Sequence, residues 1–392
     1  RDSSTSRGLG DVYKRQNNLK SHIDFGSSLF LIAYIPLLVV SSLFTSMYNQ
    51  IIPHAYMNLI LGVSIGILLF KVLFIDKNSP LEYFIFIGIG FIFLISAVHS
   101  NNKQLLIFAI VCLMAKKINN NAVVRTYLIV SLAVLLFVYI STKIGKIPDL
   151  MYTRNLIVRH SYGIIYPTDF AAHVFYICCA YAYLRFEKYN IKDMLFLMVI
   201  ALILYRQTDA RLNAGMIIVL SIIIWLGKNK KINSIANKIW VVPLLSFGST
   251  YFLTKYYDPN SLFFNFVNKF FSGRLGIVQN ILDEYGLKIF GQKIIEHGWG
   301  GNGFYLNTNI YKYAYIDSTY MRLLIIYGVF AAASFILFTS YFLKKDKNIK
   351  LLIIIALILV TGIIEQHFID IAYNPFFIIL VSDSVSYTHL RA

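Results

Sequence analysis

Between Ser27 and Ser382 the chain is a succession of apolar runs, each about the length that crosses a bilayer, separated by short polar breaks. A hydrocarbon core about 30 Å thick takes roughly 20 helical residues to span. Runs of that kind recur too often here for a soluble core, so the chain belongs in a membrane. The runs are continuously apolar, whereas strands of an outer-membrane barrel alternate, which leaves a helical bundle as the architecture that satisfies its own backbone. The pattern predicts about twelve helices, at 27–47, 54–75, 81–98, 104–118, 122–142, 167–186, 192–206, 210–227, 239–255, 319–343, 349–366 and 371–383. The expectation is one all-α polytopic domain over 17–384, interrupted by a long polar loop at 256–318, between the ninth and tenth helices, where the chemistry should sit.

A hydrophobic content of 57% and a mean hydropathy of +0.63 agree with this reading. The two ends do not share it. Residues 1–16 (RDSSTSRGLGDVYKRQ) and 385–392 (ending YTHLRA) differ from the rest in composition and periodicity, and resemble translated sequencing-adaptor sequence. They are expected to be non-native and are left out of fold reasoning, so His389 carries no functional weight.

The formal charge of +17 changes the picture less than its size implies. Lysine and arginine collect in alternate short loops, and such loops resist translocation. Lys71 and Lys77, then Lys116, Lys117 and Arg125, then Arg185, Lys188 and Lys192, then Lys228, Lys230, Lys231 and Lys238, then Lys344, Lys345, Lys347 and Lys350 mark one side as cytoplasmic. Both termini then lie in the cytoplasm, and the long loop lies outside. Most of the excess charge is thus topology signal with possible anionic-lipid contact, and gives no case for nucleic acid. The basic residues that the topology rule leaves unexplained face outward: Arg154, Arg159, Arg206, Arg211, Arg274 and Arg322. Cys112, Cys178 and Cys179 fall inside spans without ligand spacing and read as packing residues.

In the long loop, Phe263 to Phe271 groups aromatics as an interfacial helix or an aromatic belt would. Ser272 can cap a following helix that carries Leu275, Val278 and Leu282 and ends at Gly286. Arg274 in its first turn opposes the helix dipole, which makes sense if an anion binds there, since a helix N-terminus plus a guanidinium fork suits phosphate. A salt bridge to Asp283, Glu284 or another neighbour is the alternative. Gly298 to Gly303 matches GxGxxG but lacks the strand a dinucleotide site needs; a turn that lets chain pass close to a sugar or a helix end fits better. Ahead of the sixth helix, Arg154, Arg159, His160, Tyr162 and Tyr166 offer cations and rings for a diphosphate and sugars, or for ordinary interfacial anchoring. Thr208-Asp209-Ala210-Arg211 forms so tight a hairpin that Arg206 and Arg211 must lie at or just beneath the outer surface, where Asp209 can pair with one and leave the other for substrate, or serve a purely structural pairing.

Five stretches together, RHSYGIIYPTDFA (Arg159–Ala171), TDARLNAG (Thr208–Gly215), SGRLGIVQNILDEYGLKIFGQ (Ser272–Gln292), GGNGFY (Gly300–Tyr305) and YIDSTYMRLLIIYGVF (Tyr315–Phe330), resemble bacterial polysaccharide repeat-unit polymerases, the Wzy-like members of the O-antigen ligase/polymerase superfamily. The resemblance covers most of 27–383. One departure is Ala210-Arg211-Leu212, where relatives usually read Ser-Arg-Thr, which leaves the exact role of Arg211 open.

The resemblance implies a GT-C-like glycosyltransferase that joins undecaprenyl-diphosphate-linked oligosaccharides outside the cytoplasmic membrane, with flippase and chain-length regulator proteins as possible partners. It implies no cofactor. A lipid diphosphate leaving group needs cations, which outward arginines supply without a metal, and no DxD pair is evident. Arg154 or Arg159, Arg211 and Arg274 are expected to hold the diphosphate, with Arg206 nearby. Asp317 is the first choice of general base for the acceptor hydroxyl; Glu296 and His297 are alternatives. Asp317-Ser318-Thr319-Tyr320 stands where the ligase branch is expected to carry a histidine followed by Asn and Tyr, which tilts the reading toward polymerase. Tyr305 and Tyr320 are expected to line a sugar groove, and Arg322 to bind phosphate or snorkel to headgroups. A ligase using the same donor, and a flippase or other transporter, stay open.

Overall fold

The computed structural model describes residues 25–76, 78–116, 118–227, 237–306 and 313–386. Residues 1–16, nearly all of 385–392 including His389, and Lys77, Lys117, Lys228, Lys230 and Lys231 lie outside the described residues. The described chain forms fifteen α-helices and one two-stranded antiparallel hairpin. In order these are α1 (Phe25–Phe44), α2 (His54–Phe70), α3 (Pro80–Ser100), α4 (Gln104–Leu113), α5 (Asn120–Lys143), β1 (Met151–Arg154), β2 (Ile157–His160), α6 (Pro167–Arg185), α7 (Ile191–Thr208), α8 (Arg211–Leu226), α9 (Val242–Lys255), α10 (Leu262–Phe270), α11 (Arg274–Tyr285), α12 (Thr319–Ile325), α13 (Val329–Lys345), α14 (Ile349–Thr361) and α15 (Phe376–Ser386).

Among the described residues, four helices are long and apolar enough to cross a membrane: α1, α2 with the π-turn that extends it to Ile75, α3 and α5. On α3 a capping box at Ser79 and Glu82 starts the helix, with Pro80 at its first position. Its Phe84, Ile87, Phe91 and Val98 recur every three to seven residues on one exposed face, while Ile89, Phe93 and Ala97 are buried. A row of exposed large apolar side chains of that length is stable only against lipid, so the chain is a mostly helical membrane protein. The interior belongs to α6 and α14, which are buried nearly all round; a helix apolar on every face belongs in the centre of a bundle.

Several expected spans change form. The span at 319–343 is broken into α12 and α13 at Gly328, whose φ is +94°. There the chain around Gly291 crosses it so closely that a Cβ on Gly328 would lie 2.2 Å from the Gly291 nitrogen, and one on Gly291 2.3 Å from the Ile326 carbonyl oxygen. The 104–118 span shrinks to the ten residues of α4. The 349–366 span ends at Thr361, and 362–375 runs as a buried irregular segment with only a short 3-10 turn, His367–Ile369. The long loop carries two helices, α10 and α11, and the stretch before the sixth span folds into the β hairpin.

Two of the basic loop residues are also not free. Lys71 donates to Asp76 (2.6 Å) and to the carbonyls of Met114 and Lys116, while Lys116 donates to Glu82 (2.7 Å) and Asn78. Both ammonium groups are almost fully buried. Such a charge persists only when paired, so these lysines staple neighbouring loops instead of meeting lipid headgroups.

Candidate functional site

At the opposite end of the bundle, the hairpin, the α7–α8 turn, the α10–α11 junction, the 296–300 turn, the 313–318 segment and the α14 exit surround a cavity of about 1140 Å³. The hairpin delivers Arg154 and Arg159 through the tight turn at Asn155 and Leu156, both with positive φ. Leu156 in that conformation is unusual, since a branched side chain pays for it. The glycine turn docks on the start of α6: Gly301 N–H donates to the Ile165 carbonyl (2.9 Å), and a Cβ on Gly303 would meet the Gly298 oxygen at 1.9 Å. The glycines thus serve close passage at a helix end.

The cations of this cavity divide into paired and unpaired. Arg154 bonds the Asp209 carboxylate through Nε (2.8 Å) and Nη2, and also the Asp209 carbonyl. Asp209 sits at φ 45° as the C-cap of α7. Arg211 reaches the same carboxylate at only 3.5 Å and is largely exposed. Asp209 therefore pairs mainly with Arg154. Arg206 is exposed on α7 and is not among the residues that line the cavity.

Arg159 is the exception. It is 4% exposed, donates through Nε to the Thr208 carbonyl (2.7 Å) and lies over the Tyr166 ring. Its Nη2 has no hydrogen-bond partner, and among the described residues no carboxylate comes within ion-pair distance. Burial draws its pKa down from the usual value, yet an arginine stays protonated in a protein. A buried cation without a paired carboxylate is costly, and Tyr166 and Asp209 offset that cost only in part.

Arg274 and Asp317, expected as phosphate ligand and base, are bonded to each other: Arg274 Nε donates to Asp317 Oδ2 at 2.9 Å. Tyr313 donates its hydroxyl to the same oxygen at 3.2 Å. Burial raises the Asp317 carboxyl above its ordinary range, against the pull of Arg274. On Arg274, burial works to lower the pKa and the Asp317 carboxylate outweighs it, so the guanidinium is held firmly protonated. The alternatives Asp283 and Glu284 do not take this arginine. Nor does Ser272 cap α11: Gly273 is the N-cap, at φ 84°, and Asn268 from α10 accepts from the Leu275 and Gly276 N–H groups (3.1 and 3.3 Å). With those donors satisfied from within the chain, the helix end itself is not free for an anion.

Four expectations are corrected. Arg322 neither reaches headgroups nor lines this cavity; it is 4% exposed and forks onto Glu296 through two bonds of 2.8 and 2.7 Å, with a third to the Ile316 carbonyl. Glu296 faces the cavity but is no free carboxylate, being so clamped and also accepting from Ile316 N–H. Tyr320 is fully buried and donates to the Leu359 carbonyl, away from any groove. Tyr305 is exposed outside the cavity wall. The aromatic wall is made instead by Tyr166, Trp299, Tyr313 and Tyr315. His297 does line the cavity, its backbone paired in both directions with Ala314.

The α14 exit carries a charge network that the sequence did not single out. His367 lies between Asp169 (3.1 Å) and Glu365 (3.3 Å), and Glu365 also accepts from Asn213 (2.8 Å). Burial would lower the imidazole pKa, but the two carboxylates overcome it and push it up to about 10. Asp169 and Glu365 both face the cavity. Comparison with protein-family models, with curated proteins and with solved structures finds no match for this chain.

Proposed function

We propose that this chain is a membrane glycosyltransferase that polymerises undecaprenyl-diphosphate-linked oligosaccharide repeats into surface polysaccharide. In this reading the cavity opens on the outer side of the cytoplasmic membrane, both termini are cytoplasmic, and the bundle is GT-C-like with about twelve crossings.

The observation that carries the proposal is Arg159, a buried guanidinium with an unpartnered Nη2 in the wall of a large cavity. Arg211, Lys269 and Arg274 face the same space, so several cations can share a diphosphate. Beside them Leu212, Gly215, Met216 and Val219 line the cavity from one face of α8. A polar anion site continued by an apolar gutter suits a headgroup with a hydrocarbon tail.

The chemistry then uses residues already in contact. Asp317 accepts the proton of the acceptor hydroxyl while that oxygen attacks the anomeric carbon of the donor. The bond from that carbon to the phosphate oxygen breaks, and the leaving diphosphate takes the electron pair. Arg159, Arg274 and Arg211 stabilise its charge. Trp299 and Tyr313, whose ring centroids are 5.8 Å apart, offer faces for sugar rings. Arg154 becomes a positioning residue that holds Asp209 and the α7–α8 turn.

The test is deletion of the gene in its host, complemented by wild type or Arg159→Ala, with lipid-linked and surface glycans sized on a gel. Polymerase activity predicts single repeats and no ladder in the deletion and in the Arg159→Ala strain. A normal ladder left on the lipid diphosphate would point to a ligase, and repeats trapped on the cytoplasmic face to a transporter.

A further inference from the structure

Beside the main cavity lies a smaller chamber of about 350 Å³, within the roughly 300–1,000 Å³ typical of small-ligand sites. Phe44 of α1, Leu61 of α2 and Ile107 of α4 wall its far side. Ile165, Asp169, Tyr315 and Gln366 face both spaces and form a partition between them.

The two spaces differ in chemistry. The charges of the small chamber's cations, Arg322 and His367, are both matched, one by the Glu296 fork and the other by Asp169 and Glu365, although Arg322 Nε keeps no hydrogen-bond partner. A phosphate or uronate entering there meets Asp169 and Asp370 with no cation left to receive it. A neutral ligand rich in hydroxyls fares differently. Carboxylate oxygens of Asp169 and Asp370 accept from hydroxyl groups, the Gln104 and Gln366 amides offer both donor and acceptor, and Tyr373 presents a ring. Gln104 already bonds Asp370 (2.8 Å), and Gln366 accepts from Tyr315 (2.8 Å), so these groups are held in place before a ligand arrives.

We propose that the small chamber seats the uncharged terminal sugar of the acceptor glycan, its attacking hydroxyl reaching past the Asp169–Tyr315–Gln366 partition to Asp317 in the large cavity, where the donor lipid diphosphate sits. This rests on the transferase reading above. It adds a specificity: an acceptor whose terminal sugar carries a carboxylate or phosphate is refused.

The experiment uses purified full-length protein in nanodiscs, with the host's undecaprenyl-diphosphate-linked repeat as donor, its attacking hydroxyl blocked as the methyl ether so that it cannot also serve as acceptor. The acceptor is the free repeat-unit oligosaccharide released from that lipid by mild acid. Ile107→Trp fills the chamber from an apolar, partly exposed position; Gln104→Ala, at a residue that faces the small chamber alone, removes a polar contact without adding bulk and guards against misfolding of the first. Each should raise the KM for acceptor by about tenfold or more, the scale of a lost hydrogen bond to a ligand, with the donor KM unchanged. Wild-type transfer with both variants unaltered, or altered only toward donor, overturns the chamber assignment and leaves the transferase reading standing. A terminal uronic acid in the host's own repeat overturns it as well. If wild type transfers nothing and a gene-deleted host keeps its ladder, the transferase reading falls and the chamber assignment with it.

Discussion

Replacing Arg322 by methionine should cost about 3–5 kcal/mol of stability, because removing one partner of a buried pair strands the other. Glu296 would lose both guanidinium bonds, and the Ile316 carbonyl would lose its third. The Tyr315 ring would lose the cation stacked above it at 5.1 Å. Glu296 keeps its bond from Ile316 N–H and touches the cavity, where water can reach it, so the lower end of the range applies. At roughly 2–4 °C per kcal/mol for a large domain, the transition should fall by about 6 °C or more. Thermal unfolding in detergent, followed by intrinsic fluorescence, reads this directly. The double variant Arg322→Met/Glu296→Leu should recover most of the loss, since a buried pair replaced as a whole by apolar residues is often neutral. A single variant that melts within about 1 °C of wild type, well under one kcal/mol, would refute the clamp. So would a double variant no more stable than the single one. If Arg322 gripped phosphate, its loss would instead remove activity at an unchanged melting temperature.

Other outcomes follow from the same geometry. Arg159→Ala should lower polymer formation by about a hundredfold or more, the usual effect of removing one preorganised electrostatic group, with Arg159→Lys restoring part of it; in vitro turnover with matched protein levels checks this. Because Asp317 must be ionised to act as base and burial raises its pKa, activity should fall on the acid side at a pH above the ordinary carboxylate range. Tyr313→Phe removes a hydrogen bond that favours the ionised form, so that acid limb should move to higher pH; a pH–rate profile that does not move would contradict the assignment of the base. Gly328→Ala should destabilise by about 1–3 kcal/mol or more through its positive φ and the blocked crossing with Gly291, seen as a lower melting temperature or loss of folded yield.

The outline of this fold was legible because long apolar runs state their own secondary structure. What the runs concealed were the places where helix gives way at depth. Gly328 sits inside a continuous apolar stretch, and nothing local marks it as a break; the break exists because the Gly291 segment crosses there. The segment at 362–375 was read as the ends of two spans because Ile363, Ile364, Phe368, Ile369 and Ile371 keep the hydropathy high while Glu365, His367 and Asp370 bond each other's neighbours inside. The site was half legible. Four of the six arginines read as outward, Arg154, Arg159, Arg211 and Arg274, line one cavity, and Arg274 and Asp317 proved to be partners across 43 residues. Which arginine lacks a carboxylate is a tertiary fact: Arg154 and Arg159 lie five residues apart on one hairpin, and only the α7–α8 turn decides that Asp209 takes the first. Tyr320 and Arg322 were assigned outward because their span begins nearby, yet α12 is packed on all sides, so both turn inward.

The most direct measurement incubates the purified protein in nanodiscs with the host's undecaprenyl-diphosphate-linked repeat unit alone and resolves the glycan products by size. The account predicts a ladder from wild type and unextended repeats from Arg159→Ala and from Asp317→Asn, each folded as judged by its melting transition. Repeats left unextended by folded wild type, or a full ladder from Arg159→Ala, would contradict it.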